Sequence, residues 1–168
     1  YNNDDLDFDI EYETIVYSGT DNKPAVSNVK VGSIVLEDTQ YSVTYSTDTK
    51  NVGSKLVTVK VTDPNYSSAA QSKSYEVTAL PVQFVWSANS LPYNGEVQTI
   101  TATIQNLAAG DVCDFTVTGN SGKDVQAYTA KVTVLKNSNY TLVGATNVSH
   151  ASELPSMEVG DLEILTAA

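Results

Sequence analysis

The chain has 168 residues, nine Lys, no Arg and twenty carboxylates, giving a formal net charge of −11. That charge repels phosphate backbones and anionic lipid headgroups, and there is no basic patch from which to build a nucleic-acid site. A hydrophobic fraction of 41%, much of it Val and Tyr, suits half-buried strands and allows two modest cores rather than one core with an elaborate cleft.

The first strand is the plainest. In residues 5–13 every even position (Leu6, Phe8, Ile10, Tyr12) is apolar or aromatic and every odd one acidic. A strict period of two puts one face in a core and the other in solvent. Tyr17-Ser18-Gly19 opens a polar turn, and Pro24 begins the next extended segment. Val26, Val29 and Val31 lead through Gly32 to Ile34-Val35-Leu36, and residues 40–45 alternate again. Residues 56–61 and 74–78 read as the last strands of the first half. In the second half, strands are expected at 82–86, 99–104, 113–117, 128–135 and 162–165. No window of about a dozen residues carries a 3.6-residue apolar period, so little helix is expected. Short strands at about 8–12-residue spacing with polar turns predict sandwiches, one over residues 1–80 and one over 81–168. The link near residues 78–82, Thr-Ala-Leu-Pro-Val, is short and stiffened by Pro81, which predicts an elongated pair.

Landmarks recur between the halves. Tyr17-Ser18-Gly19 answers Tyr93-Asn94-Gly95, the two tyrosines standing 76 positions apart, and Asn65-Tyr66 answers Asn139-Tyr140, 74 residues on. Between them, Lys50-Asn51-Val52-Gly53 answers Lys123-Asp124-Val125, and Val57-Thr58-Val59 answers Val132-Thr133-Val134. This order, carried by Tyr17, Gly19, Val52, Gly53, Asn65 and Tyr66 and then by Tyr93, Gly95, Gly110-Asp111, Val125, Tyr128, Asn139 and Tyr140, resembles the tandem Ig-like repeats of bacterial surface proteins of the MBG/YDG kind. The resemblance covers nearly the whole chain. It implies an all-β fold of two tandem immunoglobulin-like β-sandwich domains, from a secreted or cell-wall-associated protein in which such repeats act as spacers or adhesive modules. The sequence departs from the pattern at Gln126-Ala127, where a Gly is expected, and residues 143–160 exceed their counterpart, so an insertion is expected there.

Candidate sites follow from residue chemistry. Trp86 beside the turn-rich Ser87-Ala88-Asn89-Ser90, with Tyr93 after it, offers aromatic faces on which sugar rings stack. The competing reading makes the tyrosines packing residues, Tyr66 and Tyr140 above all. The acidic ladder Asp5, Asp7, Asp9, Glu11 and Glu13 invites calcium, yet side chains two apart on a strand stand about 6.6 Å from each other and cannot all share one ion. Protection of a sheet edge by charge explains the ladder better. Lys60 and Lys131 are candidate donors for a Lys–Asn isopeptide cross-link, although alternation with Val59 and Val61 turns Lys60 outward. Cys113, the single cysteine, permits no intrachain disulfide, and His150, the single histidine, shows no sign of pairing with it. Asn65-Tyr66-Ser67, Asn139-Tyr140-Thr141 and Asn147-Val148-Ser149 match the glycosylation sequon, two of them as part of the recurring motif. No phosphate loop, nucleophile elbow or metal cluster is present, so no enzyme, metal or cofactor is expected.

The expectation is therefore a non-catalytic extracellular module, monomeric, whose partner is a host or cell-wall glycan or protein. A carbohydrate- or host-ligand-binding module and an accessory domain of a larger extracellular enzyme are the alternatives. No apolar run reaches membrane-spanning length, so targeting and anchoring segments are expected outside this stretch.

Overall fold

Residues that alternate in polarity over short spans can segregate their side chains only by extending. The computed structural model describes residues 2–66, 68–142 and 158–165, and these are all-β, with only three-residue 3-10 turns for helix. The chain divides into two compact units, Tyr1–Thr78 and Ala79–Ala168. No helix among the described residues is long and apolar enough to cross a membrane.

The first unit contains β1 (Leu6–Ile10), β2 (Thr14–Val16), β3 (Val26–Val31), β4 (Ile34–Val35), β5 (Tyr41–Tyr45), β6 (Gly53–Val61) and β7 (Ala70–Thr78). They form two sheets, β1-β3-β4 and β2-β7-β6-β5. Leu6 and Phe8 of β1, Val29 and Val31 of β3 and Val57, Val59 and Val61 of β6 make one buried cluster. Each such side chain is worth about 1.5–3 kcal/mol relative to exposure. Between β1 and β3 the register slips opposite Phe8, where Asn28 takes a left-handed φ of 53°. The slip is a bulge, which keeps Leu6, Phe8 and Val29 all on the core side. β2 was not legible as a strand: three residues are too few to show a period. It runs parallel to β7, with Thr14 opposite Glu76 and Val16 opposite Thr78.

The second unit contains β8 (Leu80–Pro81), β9 (Phe84–Trp86), β10 (Ser90–Pro92), β11 (Gln98–Thr99), β12 (Ala102–Ile104), β13 (Phe115–Thr118), β14 (Ser121–Gly122), β15 (Gln126–Leu135), β16 (Tyr140–Thr141) and β17 (Glu158–Leu165). Its largest sheet has the order β10-β17-β15-β13, and β9 pairs with β12, β11 with β14 and β8 with β16. The expected linker is thus partly strand: Leu80 and Pro81 pair in parallel with Tyr140 and Thr141. The expected strand 99–104 is split at Ile100. That residue is buried, and its backbone binds Asn120 on both sides, N–H to Asn120 O at 2.9 Å and C=O to Asn120 Nδ2 at 2.8 Å. Cys113, expected on a strand, lies buried ahead of β13 instead.

β10 runs parallel to β17 as β2 does to β7, with Ser90 opposite Glu163. Thr14 and Ser90 are 76 positions apart, whereas their partners Glu76 and Glu163 are 87 apart. The additional residues of the second unit therefore fall before β17, where the expected insertion lies. Residues 143–157 of that segment are outside the described residues, as is His150.

Candidate binding surface

Trp86 sits on β9 opposite Ala102 of β12. Its side chain is half-buried and packs with Ala88, Leu91 and Tyr128 against the buried cluster Ile100, Ala130 and Ile164. This makes it a wall of the second core, with only part of its surface open. Tyr93, in contrast, stands in the turn after β10 with 39% of its surface exposed.

The turn carrying Tyr93 is built from its own polar atoms. Gln98 Nε2 donates to Pro92 O at 2.8 Å, and Glu96 N–H donates to Asn94 Oδ1 at 2.9 Å. Gly95 supplies the left-handed φ of 79° that reverses the chain. Gly19 has the same φ of 79° in the first unit. The tyrosines of the two Tyr-x-Gly turns nevertheless differ, since Tyr17 is 2% exposed.

The difference lies in what ties each turn down. In the first unit Asn22 N–H donates to Thr49 O at 2.9 Å, Thr49 Oγ1 donates to Asp21 Oδ1 at 3.0 Å and the Tyr75 hydroxyl donates to Asn22 O at 2.7 Å. Tyr75 precedes Glu76 on β7, the strand that pairs with β2. Beyond Gly95 the chain stays in solvent, and Val97 is 66% exposed. An exposed phenol offers a flat face and a hydrogen-bonding tip, which suits a sugar ring or a protein side chain.

The other candidates resolve into structural parts. β1 is an edge strand. Its acids have separate partners: Asp5 accepts from Asn2 N–H at 2.8 Å, Asp7 pairs with Lys73 at 3.2 Å, Asp9 accepts from Asn28 Nδ2 at 3.2 Å and Glu11 accepts from Ala25 N–H at 3.2 Å. No cluster of three metal-ligating side chains occurs among the described residues. Lys60 and Lys131 both face solvent. The buried lysine is Lys55, 7% exposed, whose Nζ lies 3.8 Å from Asp48 Oδ2. Its polar neighbours Ser54 and Gly53 hid it from a search for alternation. Asp48 accepts from Asn51 N–H and Lys50 N–H, each at 3.0 Å, and from Asn51 Nδ2 at 2.9 Å. Those bonds, Asn51's backbone N–H foremost, hold its carboxyl down to about 2. Tied in this way to Lys50, Asn51 and Lys55, Asp48 acts as a loop clasp.

Tyr140 is buried, as the packing reading expects. Its hydroxyl donates to Asp111 Oδ2 at 2.7 Å and accepts from Ala108 N–H at 2.9 Å, which ties the Gly110-Asp111 turn to Asn139-Tyr140. Tyr66 packs half-buried against the first core. Burial pushes the Cys113 thiol up, away from the thiolate that nucleophilic chemistry requires. Of the sequons, Asn139-Tyr140-Thr141 holds this buried tyrosine, while Ser67 and Asn147-Val148-Ser149 lie outside the described residues. No family model matches the chain, and no curated protein matches it.

Proposed function

We propose that the chain is a non-catalytic spacer or adhesion-type segment of an exported bacterial surface protein, built as two immunoglobulin-like β-sandwich repeats. The observation that carries this reading is the pairing of β2 with β7 and of β10 with β17. In each unit a strand near the start lies parallel to the last one. Tension carried along such a parallel pair loads the bonds between its strands in shear, all together, instead of opening them one at a time. In the first unit the shear set includes Tyr17 N–H to Thr78 O at 2.7 Å and Glu76 N–H to Glu13 O at 2.9 Å. That is a useful property in a segment that holds a cell-surface protein under load. Single-molecule pulling should give two abrupt unfolding steps, and Ile15→Pro, which strips a donor from β2, should weaken one of them. Smooth, low-force extension of the wild-type chain would rule the spacer reading out.

A second reading is favoured by the exposure of Tyr93 where Tyr17 is buried: a carbohydrate- or host-ligand-binding surface at that turn. Tyr93→Ala should abolish binding found on a glycan or cell-wall array while leaving thermal unfolding in place. Binding indifferent to Tyr93 would move the surface elsewhere. Trp86→Ala is a poor test, because it would also open the core.

A further inference from the structure

We propose that Asn94-Gly95 is a site of spontaneous, enzyme-free modification, in which Asn94 cyclises to a succinimide and hydrolyses to aspartate and isoaspartate. Asn94-Gly95 is the one Asn-Gly pair in the sequence. The reaction needs the Gly95 nitrogen to reach Asn94 Cγ, and the turn removes what usually prevents it. Residue 95 has no side chain, and a Cβ built there would meet nothing within 4 Å. Residues 92–97 are all exposed. The Glu96 N–H donates to Asn94 Oδ1 at 2.9 Å, on the very oxygen that becomes negative when Cγ turns tetrahedral.

The atoms balance without a co-reactant other than water. The Gly95 nitrogen forms a bond to Asn94 Cγ, the bond from Cγ to Nδ2 breaks, and the amide leaves as ammonia carrying the proton lost by Gly95. Water then opens either carbonyl of the ring. One route leaves aspartate and the other reroutes the main chain through the side-chain carbon. Both place a new carboxylate beside Tyr93, and isoaspartate lengthens the backbone of the turn that presents it.

Two internal comparisons sharpen the inference. The corresponding turn of the first unit has Ser18 before Gly19, with the same φ but no amide. Asn120-Ser121 has its amide fixed by the bond to Ile100 O at 2.8 Å, and Asn137-Ser138 has its own on Val112 O at 3.1 Å. The modification stands apart from the function proposed above and does not need it. Native protein and protein in urea are held in mildly alkaline buffer and followed by peptide mapping for amide-to-acid conversion. Asn94 should convert in the native chain at a rate within about tenfold of its urea rate, because no local unfolding is needed. It should also outpace native Asn120 and Asn137. Asn94→Ser, which copies the first turn, should remove the product and leave the melting temperature unchanged. A native rate more than about tenfold below the urea rate would show that the turn protects Asn94 and would overturn the proposal. So would native Asn120 or Asn137 converting as fast.

Discussion

Tyr75→Phe removes one oxygen from the interior of the first unit and tests what anchors the turn after β2. The Tyr75 hydroxyl donates to Asn22 O at 2.7 Å in a buried setting, and Asn22 itself is 7% exposed. The phenyl ring would keep its place, edge-on to Tyr12 at 6.1 Å and 80°, so no cavity opens. What is lost is the hydrogen bond, and what remains is a carbonyl cut off from water. Together these cost about 1–3 kcal/mol. For a unit of roughly 80 residues that is a fall of about 5–15 °C in midpoint. The only tryptophan, Trp86, belongs to the second unit and so supplies an internal control by fluorescence. Amide hydrogen exchange read on β6 and β7 reports the first. Tyr128→Phe breaks an exposed bond, Tyr128 hydroxyl to Asp124 O at 2.9 Å, and should cost under about 0.5 kcal/mol. If Tyr75→Phe leaves exchange in the first unit as it was, the anchoring account of the buried Tyr17 turn fails.

Gly122→Ala should destabilise the second unit by about 1–3 kcal/mol, since the added Cβ would clash with the Cζ end of the Tyr128 ring; a Trp86 fluorescence midpoint equal to wild type would contradict this packing. Burial, and next the Asp111 carboxylate it donates to, push Tyr140 up to about 12 against 10.0 unfolded. Its contribution is therefore complete below pH 10 and lost as pH rises toward 12, so urea midpoints should fall across that window and fall less steeply in Tyr140→Phe. Equal slopes for the two proteins would remove Tyr140 as the cause. Asp48, held at about 2 against 3.8, stabilises the first unit above pH 3.8 and loses that contribution as pH drops toward 2. Because Asp48 is half exposed, the effect is screened: Asp48→Ala should cost about 1 kcal/mol at neutral pH and nothing near pH 2, as acid titration of both proteins can establish.

The parts of the fold that could be read from sequence are those whose signal is local. The alternation of Leu6, Phe8 and Ile10 with acids reappears as buried and exposed faces of β1, and Val57, Val59 and Val61 reappear as core. β2 and β10 are not legible in sequence because three residues carry no period, and their identity comes from a parallel partner more than sixty residues away. Leu80-Pro81 reads as a link because a proline there suggests a spacer, yet Leu80 N–H finds Asn139 O at 2.9 Å and continues as strand. At the candidate surface, the residue types Trp86 and Tyr93 were visible, but their exposure was not. Lys55 and Asp48, a buried cation and its loop clasp, gave no signal at all, because burial of a charge depends on which strands pack above it.

The side-chain period along a strand is a property of adjacent residues, so sequence suffices for an all-β chain, for inward valines and outward acids, and for turns at Tyr-x-Gly. Gly19 and Gly95 even share one φ. The fate of the preceding tyrosine is another matter. Tyr17 is enclosed where Tyr75 and Thr49 hold the chain beyond it, and Tyr93 is exposed in a turn held by its own residues. Identical local motifs diverge there because burial is decided by groups brought from distant strands, and only the folded sheet brings them together.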